Sequence, residues 1–178
     1  MNCPFCSYDN LQGMDECERC GEDLTAFDGN QPKGRLEKSL AKDPISSLHL
    51  PEVAMVDPAA TVRKVAELLA ATNRCVLVVD KQSLAGIVTE RDLLFRFMGT
   101  GRDPGETPVA DIMTPKPETL DQNDKLTVAL NKMAIGGFRH IPLMRNGAPI
   151  GAVSVRDILE YLADMFPKEV RAGAVDPH

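Results

Sequence analysis

One phrase occurs twice in this chain. "GIVTERDLL" occupies Gly86–Leu94 and "GAVSVRDIL" occupies Gly151–Leu159. From about Ile45 onward the chain can be laid over itself. The offset is 64 at Asp57/Asp121 and 65 at Arg74/Arg139, so one residue is inserted near the end of the first helix. A repeat this long means two copies of one supersecondary unit. Each copy opens with a short strand (near Val53–Val56; near Glu118–Leu120), then an Asp and a turn. A helix follows, with Val62, Val65, Ala66 and Leu69, or Leu126, Leu130 and Met133, at helical spacing. Next come a strand (Cys75–Val79; His140–Met144), a polar turn (Lys81–Ser83; Asn146-Gly147) and another strand (Leu84–Val88; Ile150–Val153). A last helix begins near Thr89 or Ser154. The expected class is α+β: two β-α-β-β-α copies paired about a pseudo-twofold axis, which buries both sheets. Trp is absent and aromatics are 4% of the residues, so the core must be aliphatic.

Ahead of the repeats stand four of the five cysteines, as "CPFC" (Cys3, Cys6) and "CERC" (Cys17, Cys20). Cys-x-x-Cys lets a tight turn aim two thiolates at one metal ion, and two such turns make a tetrahedral four-sulfur site that suits structural zinc. The residues between the pairs can form a short hairpin, with Asn10 and Gly13 as turn formers. Iron, as in a rubredoxin-like carrier, and redox-active thiols compete with this reading. Four thiolates leave no open coordination position for catalysis. A piece this small needs the metal for most of its folding free energy. Cys75 lies in an apolar run and reads as core.

The formal charge of −6 sits at the same end. Residues 1–30 hold seven acids and one base, and the remainder holds nineteen of each. An acidic piece repels phosphate backbones, which counts against nucleic-acid binding there. The boundaries read as a zinc ribbon over 1–28, a linker and short helix over 29–44, repeats over 45–100 and 109–168, and a tail over 169–178. "RLEKSLAK" (Arg35–Lys42) forms the short helix, stopped by Asp43-Pro44. No signal peptide or membrane span is read, so the expectation is a cytoplasmic protein with no membrane partner.

The phrases "GIVTERDLL", "GAVSVRDIL", "ADIMTPKPETL" and "GFRHIPL" resemble the cystathionine-beta-synthase (CBS) domain, which occurs as tandem pairs called Bateman modules. The resemblance covers roughly residues 45–168. It implies a regulatory module that binds an adenosine nucleotide (AMP, ADP or ATP) in the cleft between copies. S-adenosylmethionine or a related ligand is the less frequent case. In each copy a hydroxyl precedes an acid by three residues: Thr89/Asp92 and Ser154/Asp157. This spacing fits a helix cap. It also fits a nucleotide, because a carboxylate can accept from both hydroxyls of a ribose diol. Arg91 and Arg156 sit in the first helical turn, where the macrodipole disfavours cations and a bound phosphate would compensate.

The second copy reads as the better equipped. Gly136-Gly137 lets the backbone turn close to a ligand, Arg139 and His140 offer donors to phosphate, and Thr114 adds a polar contact. The first copy matches Arg139 with Arg74, but has Cys75 in place of His140 and Leu50 in place of Thr114. In the last helix Ile158, Leu159, Leu162 and Phe166 form an apolar face that packs within the pair. Part of it can serve a homodimer, which the resemblance also implies.

No nucleophile–base–orienter set, Walker loop or dinucleotide-binding glycine fingerprint is present, so no enzyme is expected. The reading is a non-enzymatic nucleotide sensor with a ribbon that contacts an unidentified protein partner. The alternatives are a zinc-ribbon adaptor whose repeats only dimerise, and an iron electron carrier.

Overall fold

The computed structural model describes residues 2, 3, 5–11, 14, 16–24 and 35–165. The expected linker at 29–34 and tail at 169–178 lie outside them, as do Gly13 and Phe166. The fold is mixed α/β, with two sheets and several helices.

Strands β1 (Met55–Val56), β2 (Val76–Asp80), β3 (Ser83–Val88) and β4 (Thr114–Pro115) form one sheet in that order. β1 runs parallel to β2, and β2 pairs antiparallel with β3 through a turn in which Lys81 and Gln82 both have positive φ. Strand β4 was not expected from the sequence. It comes from the second copy and pairs antiparallel with β3 of the first, Ile87 opposite Thr114. The second sheet has the order β5 (Leu120–Asp121), β6 (His140–Arg145), β7 (Ala148–Ser154), with β5 parallel to β6.

Helix α1 (Arg35–Lys42) ends ahead of Asp43-Pro44, as the sequence predicts. Helix α2 (Val62–Thr72) is capped by Thr61, whose hydroxyl accepts from Lys64 N–H at 3.3 Å. Its buried Val62, Val65 and Leu69 pack on Val76, Val78 and Val88 of the sheet, each contributing roughly 1.5–3 kcal/mol by leaving water. Helix α3 (Glu90–Asp92) widens at once into a π-helical turn over Leu93–Phe97, so this copy's last helix is shorter than expected. Helices α4 (Leu126–Gly136) and α5 (Val155–Met165) follow in the second copy.

Glycines 136 and 137, read from the sequence as a turn beside a ligand, form the end of α4. Gly137 takes the left-handed conformation (φ 65°) that stops the helix, its N–H bonded to Met133 O at 3.0 Å. A Cβ on Gly136 would lie 2.0 Å from the Phe138 ring.

Each copy's lead-in segment is held by the other copy. Pro108 bridges Thr61, Val109 N–H donates to Ala60 O (2.7 Å), and Val62 N–H donates to Thr107 O (2.9 Å). Sixty-four residues earlier or later the same three contacts recur. Pro44 bridges Lys125, Ile45 N–H donates to Asp124 O (2.8 Å), and Leu126 N–H donates to Asp43 O (3.0 Å). The compact units follow this exchange and not the repeat boundaries. One comprises Leu50–Gln122 and His140–Val153, the other Met1–His49, Asn123–Arg139 and Ser154–His178.

Candidate functional sites

Both hydroxyl–acid pairs form capping boxes. Asp157 Oδ2 accepts from Ser154 N–H (2.7 Å) and Ser154 Oγ (2.7 Å), and Asp157 N–H donates back to Ser154 Oγ (3.2 Å). Asp92 Oδ2 accepts from Thr89 N–H (2.9 Å) and Thr89 Oγ1 (2.8 Å). The two aspartates are 6% and 8% exposed, so their carboxylates are fixed inside the protein rather than waving in solvent. A buried carboxylate that takes two donors on one oxygen is held in a fixed orientation, which is what recognition of a diol requires.

Thr114 goes to the first copy's box and not the second's. Its hydroxyl donates to Asp92 Oδ1 at 3.0 Å, because β4 crosses to β3 and carries it there. The sequence reading missed Arg96, whose Nε lies 3.6 Å from the same Oδ1 and whose Nη1 donates to the carbonyls of Ile112 (3.2 Å) and Met113. The first-turn arginines have partners on their own helices. Arg156 Nε donates to Glu160 Oε1 at 2.8 Å, and the Arg91 guanidinium sits 5.8 Å from the centre of the Phe95 ring. Both arginines are exposed. Arg74 Nη2 donates to the Ala152 carbonyl at 3.3 Å, which ties β7 to the residue ahead of β2. His140 opens β6 half-buried, next to an exposed Arg139 whose carbonyl accepts from Val155 N–H (3.2 Å).

The four N-terminal cysteines converge: their sulfurs all lie within 4.8 Å of one another. The closest pairs cross between the two turns, Cys3 to Cys20 at 3.6 Å and Cys6 to Cys17 at 3.5 Å. Four sulfurs around zinc at ~2.3 Å stand about 3.8 Å apart, whereas a disulfide needs ~2.05 Å, so the arrangement fits a metal. The two turns are built alike. Cys3 N–H donates to Tyr8 O and Ser7 N–H to Cys3 O, while Cys17 N–H donates to Glu22 O and Gly21 N–H to Cys17 O. Ser7 and Gly21, four residues after the leading cysteine, both have positive φ. The bridges Asn2–Asp9 and Glu16–Asp23 close each turn on itself, where the sequence reading expected one hairpin between the pairs.

Asn10, read as a turn former, is buried and joins the turns. Its amide donates to Tyr8 O (3.0 Å) and Cys17 Sγ (3.5 Å), and its oxygen accepts from Glu18 N–H (3.0 Å). Burial works to raise the Cys17 thiol, but the backbone at Cys20 and Arg19 and the Asn10 amide outweigh it and bring it down to about 6. Desolvation first, then the neighbouring thiols, push Cys20 up to about 12. Crowded thiols cannot all ionise together unless a cation joins them. Cys75 is fully buried in an apolar cluster with Leu77, Ile87 and Ala152.

The model of one family, the CBS domain, matches the chain twice, over residues 45–99 and 109–164. The chain belongs to the CBS-domain family. This tandem CBS pair is 39% identical over 107 residues to the meiotically up-regulated gene 70 protein of Schizosaccharomyces pombe, covering 56% of this chain and 15% of that one. It is 32% identical over 124 residues to an uncharacterized 17.7 kDa protein of Acidianus ambivalens, covering 68% of this chain and 74% of that one. The chain spans about half or less of the length of several curated relatives it matches. Among solved structures, a CBS domain protein from Pyrobaculum aerophilum complexed with AMP superimposes with a TM-score of 0.60 at 25% identity, covering 72% of this chain and 95% of that one. Among the described residues, no helix is long and apolar enough to cross a membrane.

Proposed function

We propose that this CBS pair is a non-enzymatic regulatory module that binds an adenosine nucleotide at its capping-box turns, and that its four cysteines hold a structural zinc ion. The observation that carries the nucleotide reading is the likeness, across 72% of the chain, to a CBS protein complexed with AMP. The two buried, fixed carboxylates are consistent with it. Asp92 and Asp157 would take the ribose diol. Thr89 and Ser154 would lie beside ribose or phosphate, and Arg91, Arg139, His140 and Arg156 would meet phosphate oxygens. Thr114 would act with Asp92. Arg74, bonded to the Ala152 carbonyl through Nη2, would take the matching place in the first copy. Calorimetric titration with AMP, ADP and ATP tests this, and no binding of any of them would refute it.

The zinc reading rests on four sulfurs placed as a tetrahedral site requires and on two turns of the same build. The ribbon so held, acidic and small, is the element that meets a partner protein. Leu94, Phe95 and Met98 on the π-helical segment and the residue after it, and Leu159 on α5, are exposed apolar groups that suit a homodimer. A second reading, in which the CBS pair is only a dimerisation scaffold for the ribbon, is favoured by the carboxylates' engagement in caps. A ligand-induced thermal shift separates the two.

A further inference from the structure

The repeat places Arg96 of the first copy opposite Tyr161 of the second, each four residues after its box aspartate. Residues at i and i+4 share a helix face, so each side chain stands one turn below a box carboxylate. Each reaches for a lead-in segment. Arg96 holds the carbonyls of Ile112 and Met113, in the opening segment of the second repeat. Tyr161 Oη donates to Asp43 Oδ2 at 2.9 Å, across 118 residues of chain. Ser39 of α1 also donates to that carboxylate oxygen, and Asp43 N–H returns to Ser39 O at 2.8 Å. The two boxes are therefore connected to different segments. The first is tied to the opening segment of the second repeat, and the second to the end of α1, which follows the cysteines in the chain.

We infer that occupancy of the Ser154–Asp157 box is passed through Tyr161 and Asp43 to the ribbon-bearing N-terminal segment. The Thr89–Asp92 box reports instead, through Arg96, to the opening segment of the second repeat. The inference rests on the nucleotide reading of the boxes. Its physical basis is that one carboxylate both caps α5 and would hold the ribose. A ligand that draws Asp157 towards itself shifts the first turn of α5, and Tyr161 moves with it because a helical turn is stiff. A hydrogen bond at 2.9 Å is lost when its partners part by more than about 0.5 Å, so a small tilt has a two-state outcome at Asp43. The Arg96 contact differs in kind. It grips bare backbone carbonyls and needs no particular side chain at 112 or 113, whereas Tyr161 needs an acceptor at position 43. Tyr161 and Asp43 are thus positioning residues, outside the ligand contacts.

The test is hydrogen–deuterium exchange of the full chain with and without saturating AMP, alongside calorimetry with AMP, on the wild type, Tyr161→Phe and Arg96→Ala. In the wild type AMP should change exchange of residues 39–45 by about fivefold or more. Tyr161→Phe should bind AMP within about twofold of wild type, lose the response at 39–45 and keep that at 109–115. Arg96→Ala should do the reverse. Should Tyr161→Phe fold poorly, Asp43→Ala breaks the same contact from the other side. A retained response at 39–45 in Tyr161→Phe, or AMP binding by wild type without that response, overturns the inference alone. No AMP binding by wild type overturns the nucleotide reading, and this inference with it.

Discussion

On the proposed reading, capping and ligand recognition compete for the Asp157 side chain, and two substitutions separate them. Ser154 N–H and Ser154 Oγ both donate to Asp157 Oδ2 at 2.7 Å, and Ser154 is 4% exposed. Asp157→Ala leaves two buried donors without an acceptor. Each unsatisfied buried group costs about 1–3 kcal/mol, so a loss of about 3 kcal/mol is expected, more than the ~1 kcal/mol of an exposed cap. Asp157→Asn keeps one carbonyl oxygen able to accept from both donors, and gives up only the charge assistance, about 1 kcal/mol. The ligand sees a different change. A ribose diol needs an acceptor on the other oxygen, and asparagine puts an NH2 there. Losing one charge-assisted bond of roughly 1.5–3 kcal/mol weakens AMP by about tenfold to a hundredfold. Urea unfolding and AMP calorimetry on both variants measure the two effects independently. If Asp157→Asn binds AMP as tightly as wild type, the carboxylate is a cap and nothing more.

Other perturbations probe other links. Gly86→Ala would put a Cβ 2.6 Å from Met113 Sδ and 2.9 Å from the Thr114 carbonyl on β4. A loss of about 2 kcal/mol, or some 4–8 °C in Tm, is expected, and an unchanged melting temperature would mean β4 does not hold that position. Elemental analysis should find about one zinc per chain, and a strong chelator should raise exchange of residues up to 24 while leaving the melting of the CBS pair unchanged. A chelator that melts the whole protein would refute an independently held ribbon. Burial, with the Asp43 carboxylate beside it, raises Tyr161 above the ordinary tyrosine value of 10.0. The folded chain thus holds the phenol proton more tightly than the unfolded one. The latch's contribution is whole below about pH 10 and is lost as pH climbs through the raised folded value. Ultraviolet titration of Tyr8→Phe, which leaves Tyr161 as the one tyrosine, checks this, and ionisation at or below the ordinary value would contradict it.

The parts of this molecule legible in the sequence are those set by local periodicity or repetition. Val62, Val65 and Leu69 mark the buried face of α2, and the doubled Thr/Ser-x-x-Asp marks both helix starts. What stayed hidden is carried by pairing between distant segments. Thr114 was assigned to the second copy by its place in the chain, but β4 carries it to the first copy's Asp92. Nothing in a two-residue strand ending in proline announces that crossing. Arg96 and Tyr161 carry one usable signal, the offset of 65 that they share with Asp92/Asp157, each lying four residues after its aspartate. It was passed over because an arginine and a tyrosine share no obvious role until their targets are known. Asn10 fits turn chemistry equally well in sequence, and only its burial against Cys17 Sγ reveals a different task. Gly136-Gly137 fit a helix stop next to a bulky Phe138 as well as the ligand approach read from the sequence.

Exchange of lead-in segments changes what a repeat means here. Pro44 on Lys125 and Pro108 on Thr61 are one contact made twice, with the partners' roles reversed. Each copy therefore lacks a clip, and the first also lacks a strand, until the other copy is present. Neither copy alone is then a self-sufficient folding unit, whatever its internal pattern. Regulation can exploit the same dependence. On the proposed reading, a segment held by the other copy's helix would respond to what that helix binds, and a ligand on one repeat would be registered at the entrance of its neighbour. For the second repeat that entrance is Asp43, at the end of α1. The side chains then decide how specific the report is. Arg96 holds backbone carbonyls that any sequence would offer, while Tyr161 holds one carboxylate, which the equivalent position in the first repeat's arrangement, Thr107, does not supply: its hydroxyl is turned onto Asp103 O at 2.7 Å. The sequence-specific contact lies at the end of α1, in the stretch of chain that follows the cysteines.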